Sequence, residues 1–404
     1  MGLIVQKYGG TSVADAEKVK NVARRVIETR EKGNDVVVVV SAPGNMTDEL
    51  IDLARQITDS PPAREMDMLL ATGEQRSIAL LAMAICHGGC DAISFTGPQA
   101  GIITDETHSK ARIKDVQAHR ITDELAKGKV VIVAGFQGST EDNAITTLSR
   151  GGSDTSAVAL AAGLKADICE IYTDVDGVYT ADPRIVPDAM KLDSISYDEM
   201  LELASLGARV LNSRAVEYAK KYIVPLHVRS SFNENTGTIV SEEVDDMEGV
   251  VIRGIAHEEG QAKVSLFGIP DVPGVAYKIF DAIGSAEINV DMIVQGISRD
   301  GKANISFTVS KTELKRTLEI VNKLGEELGV TDIIADERIA KVSAVGIGMR
   351  SHYGVAAEMF QALADENINI QMISTSEIKL SVVVDEKDVK RAVEAVHNKF
   401  LSSE

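Results

Sequence analysis

The run Asp35-Val36-Val37-Val38-Val39-Val40, followed by Ser41-Ala42-Pro43-Gly44, constrains the fold more than any other segment. β-Branched side chains favour extended backbone, and an apolar run without alternation leaves no face for water. Such a strand belongs in a sheet covered on both sides, as parallel strands under helices are. Lys129-Val130-Val131-Ile132-Val133-Ala134-Gly135 and Ile168-Cys169-Glu170-Ile171-Tyr172-Thr173-Asp174 have the same character, and the chain opens on Leu3-Ile4-Val5. Between these runs the spacing is helical: Val19, Val22, Ala23, Val26 and Ile27 share one face, with Ser12 or Asp15 as the cap. The alternation predicts an αβα sandwich with a mostly parallel sheet. In such sheets ligands sit beyond the carboxyl ends of strands, where Lys7, Ser41, Gly135 and Asp174 fall.

Two of those ends are glycine-rich. Lys7-Tyr8-Gly9-Gly10-Thr11-Ser12 leaves the first strand, and Arg150-Gly151-Gly152-Ser153-Asp154 opens a helical stretch. Glycines let backbone N–H groups approach phosphate oxygens, a helix N-terminus adds a favourable field, and a lysine supplies a mobile charge. Neither loop is a Walker A sequence or a dinucleotide fingerprint, so those nucleotide folds are set aside. Ser153 or Asp154 also fits a plain helix cap. The segment from Thr173 to Arg184, with Asp174, Tyr179 and Asp182, reads equally as a loop with an Asp-Gly turn or as a nucleotide and Mg²⁺ segment. Thr72-Gly73-Glu74 alone reads as a helix with a surface glutamate.

Across 404 residues the net charge is −19, which argues against a nucleic-acid partner. The chain shows no basic leader and no apolar run near the ~20 residues that span a bilayer, so the cytoplasm is the expected compartment and no membrane partner is expected. Three cysteines exclude a disulfide framework. Cys86-His87-Gly88-Gly89-Cys90 reads as a helix terminus before the strand Ala92-Ile93-Ser94-Phe95, not as a metal site.

Beyond Asn233-Glu234-Asn235-Thr236-Gly237-Thr238 the acidic stretch Glu242-Glu243-Val244-Asp245-Asp246 reads as an exposed linker, and then the chain repeats itself. Ile288-Asn289-Val290-Asp291-Met292-Ile293 matches Ile368-Asn369-Ile370-Gln371-Met372-Ile373, and Pro273-Gly274-Val275 matches Tyr353-Gly354-Val355. Each copy orders strand, helix, strand, strand, helix, strand, a split βαβ design. The expected domains are 1–245, 250–335 and 336–404, with the strand near 250–260 a further candidate element of the last.

Taken jointly, Lys7-Tyr8-Gly9-Gly10-Thr11-Ser12, Ser41-Ala42, Thr72-Gly73-Glu74, Arg150-Gly151-Gly152-Ser153-Asp154, Tyr172-Thr173-Asp174-Val175-Asp176-Gly177 and Asp182-Pro183-Arg184 resemble the aspartate kinase family over essentially the whole chain. The repeats resemble its paired, ferredoxin-like ACT domains. The resemblance implies ATP and Mg²⁺ as cofactors, L-aspartate as substrate, and 4-phospho-L-aspartate as product. It implies that Lys7, with N–H groups around Gly9 and Gly10, neutralises the transferring phosphoryl group, and that Asp154 organises Lys7 or the metal region. Glu74 would take the substrate's ammonium and Arg150 its α-carboxylate, with Ser41, Thr47 and Ser153 as hydroxyl contacts. Thr173, Asp174, Tyr179, Asp182, Arg184 and Arg209 would bind the nucleotide, Arg209 standing where the family often has lysine. No role is assigned to Asn212.

Each repeat's Gly-Val pair opens a helix whose free N–H groups suit a carboxylate, and Asp271 suits an ammonium group. Gly274, Val275, Asn289, Gln295, Val355, Ala356, Asn369, Ile370 and Ser376 are the further effector contacts that the resemblance implies. Lysine, threonine or both would inhibit. A homo-oligomer, or assembly with a shorter regulatory chain starting near Met247, is expected, and a fused dehydrogenase is not. A glutamate-type kinase and a non-catalytic amino-acid sensor remain the rival readings.

Overall fold

The computed structural model describes residues 2–208, 210–242, 251–297 and 301–402. They divide into two compact units: one holds the described residues up to 179 with 191–205 and 210–242, the other 180–190, 206–208 and those from 251 onward.

The first unit begins β1 (Leu3–Tyr8), a 3-10 turn (Gly10–Val13), α1 (Ala16–Glu31), β2 (Asp35–Val40), α2 (Met46–Ile57) and α3 (Ala63–His87). It continues with β3 (Ala92–Phe95), β4 (Ile102–Thr104), β5 (Ile113–Val116), α4 (His119–Leu125), β6 (Val130–Ala134), β7 (Gln137–Ser139) and β8 (Ile145–Thr147). Then come α5 (Gly152–Leu164), β9 (Ile168–Thr173), β10 (Ser194–Ser196), α6 (Tyr197–Ser205), α7 (Ser213–Tyr222), β11 (Leu226–Ser230) and β12 (Thr238–Ser241).

Eight strands form the main sheet in the order β10-β12-β11-β9-β1-β2-β6-β3. All neighbours run parallel except β11 and β12. Val36 through Val40 are fully buried, as a doubly covered strand requires. Tyr8, Val36, Val38 and Val40 pack into one layer with Val19, Val22 and Val26 of α1 and Ile78, Leu81 and Ile85 of α3. Successive side chains alternate across a strand, so Lys7 turns to the opposite layer, which α5 fills. Gly152 through Ala161 are all buried, the polar first turns from Ser153 to Ser156 as well as the apolar stretch that follows. Asp15 caps α1 by accepting from Lys18 N at 2.9 Å, whereas Ser12 bonds the Ser231 hydroxyl at 2.6 Å.

A small second sheet, β5-β4-β7-β8, meets α3. By length and composition α3 could cross a bilayer, contrary to the expectation that no segment qualifies. It is a core helix instead, with Asp67, Leu70, Glu74, Ile78 and Leu81 buried.

The second unit runs β13 (Gly254–Pro270), α8 (Val275–Ser285), β14 (Val290–Ile297), β15 (Lys302–Ser310), α9 (Leu314–Leu328) and β16 (Asp332–Val345). It ends with α10 (Val355–Asp365), β17 (Met372–Thr375), β18 (Lys379–Asp385) and α11 (Val389–Leu401). The sheet order is β14-β15-β13-β16-β18-β17. Both long strands serve both repeats: Gly254–Glu258 of β13 pairs with the second copy's half of β16, while Gln261–Pro270 pairs with β15. Each copy has its own apolar core. The copies exchange matched polar contacts, Lys263 with Gln371 and Lys341 with Asp291, and Lys341 also meets Glu258 at 2.8 Å.

Candidate active site

The loop after β1 is fastened between the exits of β2 and β9. Gly9 N donates to Tyr172 O at 3.3 Å, and Gly10 O accepts from Gly44 N at 3.0 Å. A Cβ on Gly10 would stand 2.6 Å from Ala42 O, so only glycine fits. Beside this loop Lys7 Nζ lies 2.6 Å from Asp154 Oδ1, with the two side chains 12% and 11% exposed. Asp154 is in the first turn of α5, whose N-cap is Gly151 at φ 75° with no side-chain cap. The expectation that Ser153 or Asp154 caps the helix is therefore corrected: the Asp154 carboxylate is spent on Lys7. A Cβ on Gly135 would meet Ser153 Cβ at 2.9 Å, so the glycine just after β6 lets that first turn approach the sheet.

Glu74 is not a surface residue, as its neighbours in sequence suggested; it lies within α3 and is 2% exposed. Its Oε1 accepts from Ala42 N at 3.0 Å. Its Oε2 is buried without a hydrogen-bond partner among the described residues. Burial pushes its carboxyl up to about 7, against the opposing pull of backbone hydrogen bonds. Gly73 makes this possible, because a Cβ there would stand 2.7 Å from Ala42 Cβ. Ser41 and Thr47 border the same loop and are half-buried, and Ser153 is buried.

Arg150 is 93% exposed and reaches Asp48 Oδ1 at 3.4 Å. Its turn is sharp, with Ser149 at φ 51° and Gly151 at φ 75°. Asn212, assigned no role from the sequence, holds it. Its Nδ2 donates to Arg150 O at 3.1 Å while its Oδ1 caps α7 by accepting from Arg214 N at 3.0 Å. A Cβ on Gly151 would fall 2.2 Å from that Nδ2.

At the end of β9, Thr173 Oγ1 donates to the exposed Asp174 at 3.1 Å. The following turn is braced by residues absent from the sequence-based site. Asn233 and Asn235 donate to Asp176 at 2.6 and 3.0 Å and hold its carboxyl below the ordinary range. Tyr179 bridges to Lys191 at the edge of the first unit. Asp182 and Arg184 belong to the second unit and pair there at 3.0 and 2.7 Å, which holds the Asp182 carboxyl low. Arg209 and Met247 lie outside the described residues.

Among the described residues no cluster of three or more His, Cys, Asp or Glu side chains could by itself cage a metal. Mg²⁺ at nucleotide sites needs only one or two carboxylates plus phosphates and water. The exposed Asp174, at a strand end, fits that demand.

The second unit holds a cavity of about 330 Å³ lined by Asp271, Gly274, Val275 and Gln295, with Ile269, Ala303 and Ile305 as apolar wall. Gly274 at φ 92° is the N-cap of α8. Asn289, Ala356, Asn369 and Ser376 are exposed, Ile370 is half-buried and Val355 buried; none of these lines that cavity.

Residues 2–230 match the amino acid kinase family, and 264–324 and 342–400 match the ACT domain. The chain belongs to the amino acid kinase family. It is 54% identical over 405 residues to the aspartokinase of Mycolicibacterium smegmatis, covering 99% of this chain and 96% of that one. Among solved structures, Escherichia coli aspartokinase III in complex with aspartate and ADP (R-state) superposes with a TM-score of 0.84 at 25% identity, covering 99% of this chain and 100% of that one. The same enzyme with lysine and aspartate (T-state) gives 0.78 at 26%, with coverage of 99% and 100%. Within the family this chain is one of the aspartokinases, an ATP-dependent kinase.

Proposed function

We propose that this chain transfers the γ-phosphoryl group of ATP to the β-carboxylate of L-aspartate, giving 4-phospho-L-aspartate and ADP. A β-carboxylate oxygen attacks the γ-phosphorus as the bond to the bridging oxygen of ADP breaks. That carboxylate is ionised at pH 7, so the reaction needs no general base. The difficulty is bringing an anion to a polyanion, which charge neutralisation and in-line positioning resolve.

Lys7 is aimed at the strand tips by Asp154 and takes the developing charge on the phosphoryl oxygens. The Gly9 N–H is already engaged by Tyr172 O, so phosphate contacts at this loop fall to Lys7 and the neighbouring N–H groups. Mg²⁺ would arrive on the phosphates, with Asp174 the carboxylate open to it, and would supply further charge neutralisation.

The observation that carries the reading is the bare Glu74 Oε2, since a buried carboxylate oxygen without a donor calls for a cation. The substrate's ammonium group supplies three N–H donors there. Arg150 gives its α-carboxylate a two-pronged partner that lysine would not. Ser41, Thr47 and Ser153 offer hydroxyl contacts.

Hydroxylamine trapping of the acyl phosphate, with ATP and either aspartate or glutamate, tests the reading. Turnover of aspartate well above glutamate is expected; the reverse would favour the glutamate-type kinase, and no turnover the sensor.

We also propose feedback by lysine, threonine or both at the cavity beside α8, where Asp271 faces an ammonium group and the N-terminus of the helix a carboxylate. The lysine complex of the Escherichia coli relative supports lysine as an effector. The exposed Ile293, Val294 and Ile373, on strands at the two ends of the sheet order, support association with a second copy.

A further inference from the structure

We infer that Ser231 is a positioning residue for the nucleotide: it holds the phosphate loop after β1 and the Asp174 turn after β9 at the one separation that Mg²⁺-ATP can bridge. This rests on the proposed use of Lys7 towards the phosphates and of Asp174 towards Mg²⁺.

Ser231 directly follows β11, is buried, and is tied in three directions. Its Oγ lies 2.6 Å from the Oγ of Ser12, equally buried, in the 3-10 turn that Gly10 opens. Its N–H donates to Thr173 O at 2.8 Å, next to Asp174. Its carbonyl accepts from Asn21 Nδ2 of α1 at 3.1 Å. The loop that continues from it is fixed as well. The buried Arg25 of α1 donates to Ser230 O at 3.3 Å and to Asn233 O, and Asn233 and Asn235 hold the Asp176 carboxylate. Asp176 is thereby spent inside the turn, whereas Asp174 faces solvent.

The two loops leave neighbouring parallel strands, and the backbone bond between them, Gly9 N to Tyr172 O, is long at 3.3 Å. Ser231 adds a second link, short and directional, from Ser12 to Thr173. Holding the fold does not require it, because two apolar side chains in those buried places would pack at little cost. A hydroxyl pair instead fixes a distance. The ligand makes that distance matter: Mg²⁺ takes near-octahedral oxygens at about 2.0–2.1 Å and tolerates little drift. With the phosphates held at Lys7 and the metal reached from Asp174, a shift between the loops would cost one contact or the other. Without the metal, Asp174 has nothing to grip, and the separation ceases to matter for binding.

The test is calorimetric titration of ATP into the full chain, without aspartate, in Mg²⁺ and again in EDTA. Ser231→Ala should weaken ATP binding about fivefold to tenfold in Mg²⁺ and less than about twofold in EDTA. Ser12→Ala should do the same, and the double variant should bind no more weakly than either single one, since each breaks the same bond. In steady-state assays the aspartate KM should stay within about twofold of the parent. Equal losses with and without Mg²⁺, or a lower Tm with ATP binding unmoved, would mean a purely structural role and would overturn the inference. If Ser231→Ala fails to fold, Ser12→Ala carries the test. Asp174→Asn separates the two layers: it should remove most of the gain in affinity that Mg²⁺ gives the parent. If it does so while Ser231→Ala keeps the gain, the assignment of Asp174 stands and the inference falls. If Asp174→Asn keeps the gain, that assignment falls and the inference with it. No gain from Mg²⁺ in the parent would overturn both.

Discussion

At the strand tips Lys7 and Asp154 already touch at 2.6 Å, whereas Glu74 keeps one carboxylate oxygen bare and Arg150 reaches into solvent. The first pair sits on a strand and a helix of the main sandwich, sheltered from water, and in the proposed reaction would meet an incoming polyphosphate with its charge already aimed. In the proposed reaction the second pair would be completed by the ammonium and the α-carboxylate of the substrate arriving together. Charge directed at a transition state gains from being fixed beforehand. Recognition of a small zwitterion gains from groups that remain unsatisfied until the right ligand fills both. On this reading the two demands are kept apart, while the loop from Ser41 to Thr47 contacts both regions, through Ala42 N to Glu74 and Gly44 N to Gly10 O.

Substitutions at each end should separate these roles. Lys7→Ala should lower kcat by ~10²–10³ or more with the fold intact, since it deletes a charge aimed at the transition state; near-normal hydroxamate formation by the folded variant would contradict that. Glu74→Gln should instead raise the aspartate KM, by about 100-fold, with little effect on the ATP KM.

The same variant carries a stability consequence with a definite sign. The folded Glu74 carboxyl titrates at about 7, above its ordinary 4.5, so the native state holds a proton that the unfolded chain has lost. Stability therefore falls as pH rises from 4.5 towards 7 and stays low beyond. Glu74→Gln removes that loss and should melt higher than the parent at pH 8, by about 1–3 kcal/mol in thermal unfolding.

A smaller effect separates the ends by pH. If the ammonium binds the ionised form of Glu74, as proposed, the aspartate KM should rise about tenfold between pH 8 and pH 6 in the parent and stay flat in Glu74→Gln. Smallest of all, Asp271→Ala should shift the midpoint of lysine or threonine inhibition upward by about fivefold, read from inhibition curves.

The fold was legible because its signals are local. Five consecutive valines demand a covered strand, and glycine pairs directly after strands mark the exits where chains approach closely. The amino-acid end was less legible because its causes are distant in sequence. Glu74 looks like any helical glutamate until Gly73 is seen against Ala42; the available hint was a glycine inside a helix, which costs roughly 1 kcal/mol against alanine and so implies a packing reason. Asn212 meets Arg150 across an interval that no periodicity spans. The plain reading of Ser153 or Asp154 as the cap of α5 fails because the cap position falls on Gly151 and the Asp154 carboxylate pairs with Lys7.

Calorimetric titration of aspartate at pH 7, repeated in buffers of different ionisation enthalpy, measures most directly whether the amino-acid end is completed by its ligand. With Glu74 half-protonated beforehand and ionised once it holds the ammonium, binding should release about half a proton in the parent and none in Glu74→Gln. Binding without proton release, or with the same release in both proteins, would contradict it.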